Sequence, residues 1–111
     1  MSPGALEGVK VLDLTHHIAG PWCTKLLADY GAEVIKVEPP EGDSTRRTGP
    51  AAEDGMSAIF LGVNRSKLGV VLDLKQADDL QRLLALVRTA DVLVHNFRPT
   101  VPPRLGIAYE Q

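Results

Sequence analysis

A chain of 111 residues with 44% hydrophobic content is the size of one small domain and holds enough apolar material for a core. Its formal net charge of −2 excludes a general attraction to nucleic acid or an anionic membrane, while 12 basic residues remain available for local anion binding. The lone Cys23 excludes an internal disulfide, and with no long apolar run and no charged-then-apolar leader pattern, a cytoplasmic globular unit is the expectation.

Residues 9–14, VKVLDL, read as a buried strand that passes through His16, His17, Ile18 and Ala19 into a helix. Such a joint, at the carboxyl end of a parallel strand, is where open α/β sheets bind ligands, because backbone N–H groups and turn side chains converge there. A dinucleotide is the first candidate, with Glu38 at the end of the next strand as the ribose-binding acid. The glycines speak against it: close approach of a pyrophosphate needs G-x-G-x-x-G, and only Gly20 is present, between Ala19 and Pro21.

The first helix is predicted to open at Pro21 and to stop at Gly31. Trp22, Cys23, Leu26, Leu27 and Tyr30 are its expected inward face, with Lys25 and Asp29 four apart on the other side. Cys23 reads as core filler, since no acid–base partner is locally evident. Residues 33–38 are the second strand. Residues 39–55 turn to Pro, Gly and charge and are predicted as one long loop. Arg46 and Arg47 on that loop, with Lys36, are candidates for the phosphates of a nucleotide-like ligand, the alternative being a solvated basic pair. Residues 56–63 read as a short helix and residues 68–74 as a third strand in which Gly69 is a weak point.

Residues 76–89 are the clearest helix, with Ala77, Leu80, Leu83, Leu84 and Val87 recurring at three and four residues, Asp78 and Asp79 in the first turn and Arg88 in the last. Residues 91–95 form a short strand, and Asn96, Phe97 and Arg98 leave its carboxyl end. The order β-α-β-loop-β-α-β predicts an α/β fold with an open, mostly parallel, Rossmann-like sheet flanked by helices. On that fold the turns after the first, third and fourth strands share the carboxyl edge and can surround one ligand.

Four blocks in this chain together carry a family resemblance. They are residues 8–14 with Ala19-Gly20-Pro21; residues 27–38 with Gly42-Asp43; Asn64-Arg65-Ser66-Lys67 with Leu72-Asp73-Leu74-Lys75; and residues 90–99 with Arg104-Leu105-Gly106. In this order and spacing the chain resembles the N-terminal part of the class III CoA-transferases, the CaiB/BaiF family, which includes formyl-CoA transferase and the related α-methylacyl-CoA racemases. The resemblance implies that residues 1–111 are a CoA-binding α/β segment, a partial domain of the family fold.

CoA suits such a rim: its adenosine wants a flat apolar slot, its phosphates want cations or N–H donors, and its pantetheine arm wants a groove. By resemblance, His16, His17, Ile18 and Ala19 line the pantetheine and thiol end. Leu72, Asp73, Leu74 and Lys75 hold the adenine and ribose side, Asn96, Phe97 and Arg98 form the next CoA-contacting loop, and Arg104 is a phosphate-binding position. Each also has a plainer reading as cap, core or packing anchor. Two positions depart from the family pattern. Pro39 stands where some members have a basic residue, and Ile18 replaces a glutamine of the formyl-CoA transferases, which argues against formyl or small dicarboxylate substrates.

The resemblance further implies transfer of CoA between an acyl-CoA and a carboxylic acid through an aspartyl mixed anhydride. The family's nucleophile lies downstream of the last block, so no catalytic residue is expected among Asp13, Asp29 and Asp73, and no metal is implied. The expected partners are acyl-CoA and a carboxylic acid, with no nucleic acid and no membrane. The family's homodimer is implied for the whole protein, and self-association or a complementary chain for these residues alone. An acyl-CoA racemase segment and a standalone CoA-binding or interaction module are the alternatives.

Overall fold

The computed structural model describes residues 4–111. Its elements in chain order are β1 (Lys10–Asp13), α1 (Ala19–Asp29), β2 (Glu33–Glu38), a 3-10 turn (Ser44–Arg47), β3 (Ala51–Glu53), β4 (Met56–Ser57), α2 (Ala58–Asn64), β5 (Leu68–Val71), α3 (Ala77–Val87), β6 (Val92–Val94) and α4 (Val101–Leu105). β5, β2, β1 and β6 lie side by side in that order as a four-stranded parallel sheet. The mostly parallel α/β fold read from the sequence is therefore the one observed.

β1 lies inside the sheet, with Leu12 opposite Ile35 on one side and Leu93 on the other. A strand enclosed on both edges and both faces must be apolar throughout or satisfy every polar group it carries. Alternation sorts its residues. Leu12 and Leu14 face a core completed by Val37, Leu72 and Leu83 of α3, while Val11 faces a second, smaller core with Ala32, Val34 and, from α1, Leu27 and Ala28. α3 and α1 thus cover opposite faces, as parallel strands require.

α1 differs from the expected helix in its start and in its inward face. It begins at Ala19, two residues before Pro21, and ends where Gly31 adopts φ +106, a backbone conformation suited to glycine. Pro21, Thr24 and Lys25 are its buried residues, whereas Cys23, Trp22, Leu26 and Tyr30 are exposed. The cause lies in β1: Asp13 points at α1 and draws the Thr24 hydroxyl inward, so the helix turns a polar side to that end of the sheet. Lys25 does pair with Asp29, at 3.2 Å, and its ammonium lies 4.1 Å from the centre of the Trp22 ring.

The stretch expected to be one long loop holds two small elements. The Asp43 carboxylate accepts the Thr45 N–H at 3.0 Å and so caps the 3-10 turn, and β3 and β4 form a hairpin around Asp54-Gly55. α2 follows directly, with the Ser57 hydroxyl accepting the Phe60 N–H at 3.0 Å. β5 stops at Val71, which frees Leu72 to Lys75 to form the turn into α3. Among the described residues no helix is long and apolar enough to cross a membrane.

Candidate functional site

The carboxyl ends of β1 and β2 carry charges into buried positions, and a buried charge persists only with partners. Asp13 is fully buried and meets Lys67 at 2.9 Å, with further hydrogen bonds from the Thr24 hydroxyl at 2.6 Å and from both the hydroxyl and the N–H of Thr15. Burial alone would raise the Asp13 pKa, but these hydrogen bonds from Thr15, Thr24 and Lys67 hold it below the usual carboxylate value. Lys67 also donates to the Pro21 carbonyl at 3.0 Å and to Asn64 Oδ1 at 2.7 Å, tying the end of α2 to the start of α1. Gly20 lies in the same place; a Cβ there would run into the Thr15 side chain.

β2 repeats the arrangement. Lys36 pairs with the fully buried Asp43 at 3.0 Å and donates to the Thr15 carbonyl at 3.0 Å. Glu38 accepts a two-pronged contact from Arg46 at 2.8 and 2.7 Å and the Asp43 N–H at 2.8 Å, while the Arg46 guanidinium lies 3.8 Å from the Phe60 ring centre. For both carboxylates burial pushes the pKa up, and the hydrogen bonds outweigh it: Arg46 and the Asp43 N–H on Glu38, Thr45 and Lys36 on Asp43. One expectation is corrected here. Lys36 and Arg46 are committed to acids and are not free for a ligand phosphate. Glu38, held by Arg46, is not free for a ribose, which agrees with the glycine argument against a dinucleotide. Arg47 is exposed and donates to the Glu41 carbonyl at 2.8 Å.

Beside these pairs, at the carboxyl edge, a cavity of about 300 Å³ opens between the ends of β1, β2, β5 and β6. Its apolar lining comes from Leu14, Val37, Leu72, Leu74, Phe97 and Leu105, and its polar lining from His16, Glu41, Asp73 and Lys75. The Asp73 carboxylate accepts the Lys75 N–H at 3.1 Å, and the Asp73 N–H donates to Asp79 at 2.8 Å, so the turn into α3 is set by acids at both ends. Among the described residues the Lys75 ammonium has no side-chain partner. The Phe97 ring stands 6.2 Å from the His16 ring, tilted 45°, and stacks on His95 at 5.4 Å. Burial lowers the His16 pKa, with Asp43 opposing it, which favours the neutral imidazole.

Of the twelve residues singled out in the sequence, His16, Leu72, Asp73, Leu74, Lys75 and Phe97 come together on this cavity, and the other six do not line it. His17 turns away: its ring meets the Ser44 hydroxyl at 3.1 Å and its N–H the Asp43 carboxylate at 3.4 Å. Ile18 is the N-cap of α1, and Ala19 its first residue. Asn96 bonds to the His16 backbone, Arg98 is exposed on the loop before α4, and Arg104 is exposed in the last turn of α4, next to Leu105. Sequence reasoning missed Glu41 and the buried ion pairs. A signal for the pairs was present, since Asp13 stands between Leu12 and Leu14 and Lys36 between Ile35 and Val37.

The model of CoA-transferase family III matches residues 6–111. The chain belongs to this family. An acetyl-CoA:oxalate CoA-transferase of Acetobacter aceti is 50% identical over 109 residues, covering 97% of this chain and 28% of that protein. A succinyl-CoA:mesaconate CoA-transferase of Haloarcula hispanica is 45% identical, covering 96% and 28%. Among solved structures, a CaiB/BaiF family protein from Brucella suis superposes with a TM-score of 0.92 at 38% identity, over 98% of this chain and 30% of that one. The family III chain described here therefore spans little more than a quarter of the length of these transferases.

Proposed function

We propose that the carboxyl-edge cavity takes the adenosine end of CoA, and that the whole protein moves CoA between an acyl-CoA and a carboxylic acid. The observation that carries this reading is the union of an apolar slot with an uncommitted cation: Leu72, Leu74 and Phe97 can sandwich a flat ring, and Lys75 beside them is an ammonium with no acid partner among the described residues. A volume of about 300 Å³ suits one ring system, which leaves the phosphates and the pantetheine arm to run over the rim. In this reading Lys75 and Arg104 meet phosphates, and His16, His17, Ile18 and Ala19 border the path of the arm and thiol. Asn96, Phe97 and Arg98 form the wall between.

The reaction in this reading needs a carboxylate that attacks the thioester carbonyl, so that the C–S bond breaks, CoA leaves as thiolate and the acyl group is held as a mixed anhydride. None of the buried or paired acids here is suited to it. Asp13 is enclosed by four donors, Asp29 is shared by Lys25 and Arg65, and Asp73 holds its turn. The family resemblance implies that the nucleophile lies downstream of these residues. The site's contribution is to hold CoA so that the departing thiolate stays near for the acceptor acid.

The test is to incubate the whole protein with a panel of acyl-CoA donors and of monocarboxylic and dicarboxylic acceptor acids, and to follow new acyl-CoA by chromatography. CoA transfer is expected. Lys75→Ala and Arg104→Ala are each expected to weaken CoA binding about ten- to a hundredfold, the worth of one charge-assisted contact. Parent-like binding by both variants would remove the phosphate assignment.

A further inference from the structure

β1 and β6 are neighbours, yet the chain leaves β1 for β2 on its other side, so the gap between β1 and β6 is the place where the strand order reverses. Their pairing fails at the site's edge. The Leu14 N–H donates to the Val94 carbonyl at 2.9 Å, and in a parallel ladder the next such rung would run from the His16 N–H to the Asn96 carbonyl. The Asn96 side chain supplies it instead. Its Oδ1 accepts the His16 N–H at 3.0 Å and its Nδ2 donates to the His16 carbonyl at 2.8 Å.

The residues on either side of His16 are held as well. The Thr15 N–H goes to Asp13 and its carbonyl to Lys36, while the next residue, His17, sits at φ 71, a left-handed conformation uncommon for a side-chain-bearing residue. A backbone of this kind keeps its shape only if its surroundings over-determine it. The His16 ring is thereby placed on the cavity beside Phe97, while the Asn96 carboxamide has spent its oxygen and one N–H on the backbone.

We propose that Asn96 is a positioning residue: its carboxamide stands in for the missing strand rung, sets His16 against the cavity, and acts on CoA through His16 rather than by gripping the ligand itself. The proposal rests on the CoA reading above for its effect on binding, and on geometry alone for its effect on His16.

A double-mutant cycle on the whole protein, read by calorimetric titration with free CoA, tests it. Asn96→Ala and His16→Ala are each expected to weaken CoA about tenfold, and the double variant no more than about twofold beyond the weaker single one. A double variant weakened about a hundredfold, the additive result, would overturn the proposal, as would parent-like binding by Asn96→Ala. If the parent itself does not bind CoA, the CoA reading fails, and a ligand-free measurement still decides the positioning role. His16 faces Asp43, Lys36, His17 and Glu38, with Glu41, Asp73 and Lys75 on the cavity, and none of these changes in the variants. In an NMR titration the parent His16 should titrate below an ordinary histidine, and in Asn96→Ala it should move up toward one. An unmoved His16 titration in Asn96→Ala would overturn the role.

Discussion

Lys36 and Lys75 are alike in composition and opposite in circumstance. Lys36 is 2% exposed and clamps Asp43, whereas Lys75 stands on the cavity with its ammonium open. Lys36→Met strands a buried carboxylate and is expected to cost about 3 kcal/mol or more in denaturant unfolding. Lys75→Met is expected to change stability by less than about 0.5 kcal/mol while weakening CoA binding. Unfolding curves and CoA titrations on the two variants check the pair, and the reverse pattern would contradict it. A phosphate role for Lys36 and Arg46 would require free cations, and both are paired. Their partners, Asp43 and Glu38, are seven and eight residues distant in sequence, across a turn whose geometry no periodicity reports.

At the scale of elements, α3 was legible and α1 only in part, for one physical reason. α3 meets only an apolar sheet face, so its leucine spacing names its inward side, and Leu83 is fully buried. α1 crosses the end of β1 where Asp13 lies, and the need to satisfy that acid outweighs the pattern of its apolar residues. Ile18, Trp22, Leu26 and Tyr30 consequently form an outward stripe at four-residue spacing, 54%, 47%, 39% and 61% exposed. Leu83→Ala is expected to cost about 2–5 kcal/mol and Leu26→Ala under about 1 kcal/mol, measured by chemical unfolding. Equal costs would mean that the stripe is covered in the whole protein. The β3–β4 hairpin and α4 escaped the sequence reading because strands of 3 and 2 residues and a helix of 5 are too short to show a period.

At the scale of the molecule, the sheet order and the position of the cavity followed from the alternation of elements, because parallel strands linked by helices put their carboxyl ends on one edge. The ion pairs beneath that edge also govern its response to acid. Asp13, Glu38 and Asp43 all have lowered pKa values when folded, so the unfolded chain binds more protons than the native one in acid. Their stabilisation is complete above the unfolded carboxylate value near pH 4 and is lost as pH falls through the lowered folded values. The thermal midpoint should hold from about pH 7 to 5 and drop below about pH 4, and an unchanged midpoint at about pH 3 would contradict the pairing.

In the proposed binding mode CoA lies over the carboxyl edge with its adenosine in the cavity. Backbone amide shifts recorded while CoA is titrated into the protein test it most directly. Shifts should concentrate at His16 to Ala19, Leu72 to Lys75, and Asn96 to Arg98, with Lys75 among the largest, and leave Trp22, Leu26 and Tyr30 unmoved. Shifts confined to residues 22–29 of α1, α2 and the β3–β4 hairpin, with the cavity residues silent, would contradict this placement.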